Sequence, residues 1–204
     1  SMAQLMLKRG LIPRIEPSEA EYLIVNTCGF LKAAREEAKE VLTELANQKL
    51  PCQKLIVAGC MPQLHRQEIL DAVPSLDGML GTQRWMDILA VIQKIGSDNP
   101  TKPYLHFPPD LINPHLDEIK TNQFAIQGGS AYLKIADGCR RQCAYCLIPL
   151  IKGPLHSRPI TSIIDDAKLL QDKGVKEIVL IAQDTTDYGH DLGMHDGLAS
   201  LLET

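Results

Sequence analysis

The apolar positions in the first half of the chain switch between two periods. Residues 2–9 (MAQLMLKR) read as a helix, and Gly10 stands where a helix-stopping glycine belongs. The short run Tyr22-Leu23-Ile24-Val25 reads as a buried strand. Ala34, Ala38, Val41, Leu42 and Leu45 then recur at helical spacing and predict an amphipathic helix over 31–48. A second apolar strand over 54–57, a helix over 64–72, a short strand at Met79-Leu80 and a helix over 85–95 follow. This alternation predicts an α/β fold with an open parallel sheet and helical crossovers.

The rhythm then breaks. Five of the 13 prolines fall within 100–114 (Pro100, Pro103, Pro108, Pro109, Pro114), a stretch without periodicity. The expected division is therefore a first domain over 1–96, a Pro-rich linker over 97–127 and a second domain over 128–204. In the last, a strand over 131–136 leads to a Cys-rich loop, a helix over 161–173 closed by Gly174, a strand over 176–182 and a helix starting near 195. That is about two βα units, the opening of a larger sheet. The chain starts on Ser1 and stops at Leu201-Leu202-Glu203-Thr204 inside an apolar helical pattern, so both ends read as cuts, and a strand is expected upstream of the first helix.

Composition narrows the class. With 204 residues, 45% hydrophobic and 23% charged, disorder, a collagen-like chain and a disulfide-dense miniprotein are excluded. No run of 18 apolar residues exists, and no basic segment followed by an apolar one opens the chain, so a cytoplasmic protein without membrane association is expected. The balance of 25 acidic against 21 basic residues argues against a dominant electrostatic footprint for nucleic acid.

Two segments echo each other: Leu23-Ile24-Val25-Asn26-Thr27-Cys28 and Leu55-Ile56-Val57-Ala58-Gly59-Cys60, 32 residues apart. A strand–helix–strand crossover makes their strands parallel, so Cys28 and Cys60 are expected at the same carboxyl edge, where open α/β sheets hold ligands. Gly29 and Gly59 would let backbone approach a ligand there. The plainer alternative is two buried thiols. Cys52, after Pro51 and without an echo, is assigned no function.

The strongest chemical signal is Gly138-Cys139-Arg140-Arg141-Gln142-Cys143-Ala144-Tyr145-Cys146, a C-x3-C-x2-C spacing directly after a strand. Three thiolates so close can surround one metal centre. A zinc site would need a fourth ligand, for which His156, ten residues beyond Cys146, is the candidate. A 4Fe-4S cluster on three cysteines keeps one iron free for an exogenous ligand. A disulfide reading fails on the odd count.

This spacing, with an aromatic just before the last cysteine, resembles the signature of radical SAM enzymes. The resemblance implies that Cys139, Cys143 and Cys146 hold a 4Fe-4S cluster whose free iron chelates S-adenosylmethionine. It also implies that Tyr145 packs near the adenine, and that the reduced cluster cleaves the cofactor to a radical that abstracts hydrogen. Asn26-Thr27-Cys28-Gly29 and Gly59-Cys60 look like two of the three cysteine motifs of the methylthiotransferase N-terminal domain. There Cys28, Cys60 and a cysteine upstream of this chain would hold a second 4Fe-4S cluster. Residues 131–139 (AYLKIADGC) and Ser157-Arg158-Pro159 match the same family, and Gln183-Asp184-Thr185-Thr186-Asp187-Tyr188-Gly189 is similar to its RimO branch. One departure is Lys152-Gly153, where the family usually has Arg-Gly.

The resemblance implies an open parallel α/β domain followed by the first part of a radical SAM (β/α) partial TIM barrel. The implied reaction adds a methylthio group to an aspartate β-carbon of a small-subunit ribosomal protein. The implied reductant is one such as flavodoxin or ferredoxin, and the chain is expected to be a monomer. Rival readings are a tRNA methylthiotransferase of the MiaB branch, where a Gln-Asn pair replaces Gln183-Asp184, and a zinc-binding interaction module.

Lys134, Arg140, Arg141, Lys152 and Arg158 against Asp137 give residues 134–158 a local net charge of +4, read as electrostatic support for an anionic cluster and an acidic target. Arg158 is the best single candidate. Gln183 and Asp184, at the carboxyl end of the strand 176–182, are candidates to bind the cofactor's ammonium or ribose. The stretch His190, Asp191, His195 and Asp196 reads as a polar loop, and Trp85 and Phe30 as core anchors.

Overall fold

Strand β1 (Tyr22–Thr27) pairs with β2 (Lys54–Gly59), β2 with β3 (Gly78–Gly81), and β3 with β4 (Tyr104–His106), all parallel and in that order. Parallel strands covered on both faces must be apolar on both, which is why β2 reads as an unbroken run. Leu55 and Val57 face a layer formed by α2 (Lys32–Gln48) and α4 (Arg66–Ala72), through Ala38, Leu42 and Ile69. Ile56 and Ala58 face the opposite layer, formed by Val91, Ile92 and Ile95 of α5 (Ile88–Asp98), with Met2, Leu5 and Met6 of α1 (Met2–Lys8) packed alongside. The result is a mixed α/β protein whose first sheet is open and parallel.

The computed structural model describes residues 2–98, 103–107 and 124–204. The chain forms two units, divided between residues 111 and 112. Much of the stretch expected as a linker, with Pro100, Pro108, Pro109 and Pro114, lies outside the described residues. Its described part is structured: Tyr104–His106 is the fourth strand of the first sheet, and Phe124–Gln127 is strand β5 of the second unit. The helix expected over 64–72 is two, α3 (Cys60–Leu64) and α4, separated at His65 with φ −120° and ψ 39°. A 3-10 turn (Thr82–Asp87) precedes α5.

In the second unit β5 pairs antiparallel with β6 (Ser130–Lys134), and β6 pairs parallel with β9 (Glu177–Ile181) across α7 (Ile160–Asp172). The strand expected over 131–136 is interrupted at Ile135. Its N–H donates to Ile181 O at 3.0 Å while its carbonyl accepts from Arg158 N at 2.9 Å. The chain thereby leaves the sheet for a small antiparallel pair, β7 (Ala136–Asp137) with β8 (His156–Ser157). Helices α6 (Ile148–Lys152) and α8 (Gly197–Leu202) complete the unit, whose core gathers Ala131, Leu133, Ile135, Ile163, Leu170 and Tyr188.

Candidate metal centre

Because β6 and β9 are parallel, the segments that leave them emerge at one edge. The first departs through Gly138, at φ +69°, where a Cβ would strike the carbonyl of Pro154. Only glycine fits a left-handed residue packed against backbone. Cys139 N then donates to Gly153 O at 3.1 Å, pinning the start of the cysteine loop, and Cys146 N donates to Cys143 O at 3.0 Å at its end. The second segment follows β9 as Ala182-Gln183-Asp184-Thr185.

Between them lies a cavity of about 430 Å³ lined by Cys139, Cys143, Cys146, Tyr145, Gln183 and Asp184. The structure therefore brings six sequence-predicted site residues, Tyr145 among them, around one cavity. Cys139 is buried, Cys146 half-buried and Cys143 exposed; Tyr145, 89% exposed, stands at the rim. Among the described residues no three His, Cys, Asp or Glu side chains are gathered closely enough to hold a metal ion. The three thiols are the soft ligands an iron–sulfur group takes, and Arg141 N donates to Cys139 Sγ at 3.4 Å. His156, the fourth ligand a zinc site would need, is in β8 and is not among the residues lining the cavity.

The cations of residues 134–158 are matched by carboxylates. Arg140 forms a two-pronged pair with Asp187, Nε to Oδ2 at 2.7 Å and Nη2 to Oδ1 at 2.8 Å. Arg141 Nε donates to Asp184 Oδ2 at 2.9 Å, and Lys134 and Lys152 lie 3.0 and 3.9 Å from Asp137. The expected excess of positive charge is thus offset by aspartates, two of them, Asp184 and Asp187, distant in sequence. The hydrogen bonds from Thr186 and then Arg141 hold the Asp184 carboxyl below the usual range. Arg140's hydrogen bonds do the same for Asp187, and Asp187 in turn raises the Arg140 guanidinium. At Asp137 burial pushes upward, but Lys134, Lys152 and the Gly138 N–H outweigh it and the net direction is down.

Arg158, the candidate cofactor ligand, makes its contacts away from the cavity. It is 5% exposed, and its guanidinium donates to Lys134 O at 2.8 Å, Ser162 O at 3.3 Å and Asp166 Oδ2 at 2.9 Å. Its carbonyl accepts from the buried Tyr188 hydroxyl at 2.7 Å. It ties α7 to β6 and does not line the cavity. Asp187 and Thr185 are the residues that sequence reasoning left without a role; the signal for Asp187 was an arginine pair facing two aspartates, at a separation no local pattern reveals.

In the first unit Thr27 pairs with Gly59, so Cys28 and Cys60 leave adjacent strands at the carboxyl edge as expected. Gly59, at φ +106°, admits no side chain: a Cβ would lie 2.5 Å from Thr27 O. A Cβ on Gly29 would lie 2.8 Å from Cys60 O, so the two cysteine segments touch through backbone. Cys28 is exposed and Cys60 half-buried, against the reading of two buried thiols. Arg35 Nη1 donates to Gly29 O and Phe30 O, both at 3.4 Å. Phe30 is 40% exposed beside Cys28 and is no core anchor, while Trp85 is half-buried. Cys52 is exposed in a turn. In the polar loop, Asp191 accepts from Ser157 N at 2.8 Å.

Residues 1–81 match the family described as "Uncharacterized protein family UPF0004". The chain is also similar to proteins named ribosomal protein uS12 methylthiotransferase RimO. That of Roseiflexus sp. is 39% identical over 220 residues, taking in 99% of this chain and 46% of the relative. That of Chloroflexus aurantiacus is 44% identical over 196 residues, 90% and 42%. That of Chlamydia abortus is 41% identical over 193 residues, 94% and 40%. The chain thus spans just under half the length of the relatives it matches.

Proposed function

This chain belongs to the methylthiotransferase family of RimO type, and from that premise we propose that it forms part of an enzyme that adds a methylthio group to the β-carbon of an aspartate in a small-subunit ribosomal protein. The observation that carries the reading is the single cavity onto which the three motif thiols, Gln183 and Asp184 all open. Cys139, Cys143 and Cys146 hold a 4Fe-4S cluster there, and Cys28 and Cys60 supply two ligands of a second one. The first cluster, when bound, supplies the electron that cleaves S-adenosylmethionine to a carbon radical able to take hydrogen from an unactivated carbon.

The residues of the chain do the rest by position. Asp184, kept ionised by Thr186 and Arg141, is ready to accept from the cofactor's ammonium, and the Gln183 amide beside it serves the ribose. Tyr145 at the rim covers the adenine and excludes water. No helix among the described residues is long and apolar enough to cross a membrane. The electron donor of this reading is a reductant such as flavodoxin or ferredoxin.

The test is mass spectrometry of ribosomal proteins and tRNA from cells lacking the full-length gene. Loss of the methylthio group from a small-subunit protein aspartate is expected. Its loss from tRNA adenosine instead would overturn the protein substrate in favour of the MiaB-type reaction.

A further inference from the structure

We propose that Arg140 and Asp187, seconded by Arg141 and Asp184, are positioning residues that clasp the cysteine loop onto the turn after β9 and so keep the segment carrying the three cysteines at the cavity. The inference deepens the function proposed above and rests on it only for the identity of the metal group.

Among the described residues the loop has few other ties. Residues 140–145 are all exposed, so apolar burial does not fix them, and among the described residues its backbone–backbone bonds lie at its two ends, with Arg141 N donating only to the neighbouring Cys139 Sγ. Its anchors, by contrast, are firm. Asp187 is 6% exposed in the turn Thr185–Asp187, directly before Tyr188, which is buried and tied to Arg158 O. Asp184 is fixed before any arginine reaches it, accepting from Thr186 N at 3.1 Å and Thr186 Oγ1 at 2.6 Å. Two adjacent arginines thus meet two prepared carboxylates, and the first pair is a fork on a fork.

Ordinary exposed ion pairs contribute almost nothing, but a two-pronged pair on a buried carboxylate is the exception. With each arginine matched by an aspartate, the clasp acts through geometry more than through net field. It also gives Gln183–Gly189 a mechanical role: the segment that marks the branch carries the strike plate for the cluster loop.

The test uses the full chain with two readouts. In the chain without metal, trypsin cleavage after Arg140 and Arg141 is compared with cleavage within residues 2–98. Asp187→Ala is expected to speed the loop cuts by about tenfold, as loss of a coupled charged contact does, while the first-unit cuts keep their rate. After anaerobic reconstitution, iron loss to excess chelator is followed for Arg140→Ala, Asp187→Ala, their combination, and the exchange of Arg140→Glu with Asp187→Arg. The single changes should each accelerate loss about tenfold, the combination no further, and the exchange should restore most of the retention. Unchanged loop cleavage in Asp187→Ala, or single effects that simply multiply in the combination, would overturn the clasp. If the parent chain takes up no iron and sulfide, the proposed function fails, and the trypsin result still decides the clasp.

Discussion

Replacing Arg158 by alanine separates two roles for the same side chain. A cofactor-binding arginine at a surface cavity would leave the metal-free chain as stable as before. The structure instead gives Arg158 three acceptors inside the second unit, with Asp166 only 15% exposed. Its removal leaves Asp166 without that partner and takes one donor from the Lys134 carbonyl. Breaking a buried pair from one side costs about 3 to 5 kcal/mol. Partial rehydration of Asp166 reduces this, so about 3 kcal/mol is expected, or roughly 12 to 24 °C in the melting temperature of a unit this size. The assay is thermal unfolding of the metal-free chain, with hydrogen exchange to assign the loss to residues 124–204. Arg158→Lys should recover part of it, and Asp166→Asn on top of Arg158→Ala should add little. An Arg158→Ala chain that melts within a degree or two of the parent would refute the reasoning and return Arg158 to the cavity.

Gly138→Ala puts a Cβ into the Pro154 carbonyl at a left-handed residue, and the second unit should lose at least about 2 kcal/mol in denaturant unfolding while the first is unaffected. Leu55, fully buried in the first sheet, should on change to Ala lower the first unit's stability by about 3 kcal/mol, with exchange protection lost in residues 22–59 and kept in 130–181. Asp184 and Asp187 have carboxyls below their ordinary range, so they stabilise the fold above the unfolded value of about 3.9, and that stabilisation is lost as pH falls through the lower folded value. The second unit should accordingly hold constant stability from pH 7 to about 5 and weaken below about 4, and Asp187→Asn should reduce the acid loss.

Strands β1, β2 and β3 were legible because burial on both faces leaves an apolar run that no helix shares. Strand β4 was not: Tyr104-Leu105-His106 is three residues long, half-exposed, and set among prolines, and it exists because Gly78–Leu80 offers it a partner. Strand β5 likewise has a nearly all-exposed pattern and takes its shape from pairing with Ser130–Leu133. At the site, the three cysteines announced themselves by spacing, and Cys28 with Cys60 by repetition. The partners of the cations did not, because an ion pair between Arg140 and Asp187 has no period. The partner of Arg158 was hidden for a related reason: its charge was counted beside its sequence neighbours, whereas Asp166, eight residues further along, pairs with it inside the fold.

The most direct test of the cluster assignment is anaerobic reconstitution of the chain with iron and sulfide, followed by elemental analysis and visible spectroscopy. Iron and acid-labile sulfide in equal amounts with thiolate-to-iron absorption are expected, and the contribution of the first cluster should vanish on combined Cys139→Ala, Cys143→Ala and Cys146→Ala. One zinc per chain, no sulfide, and the same result in that triple variant would contradict it.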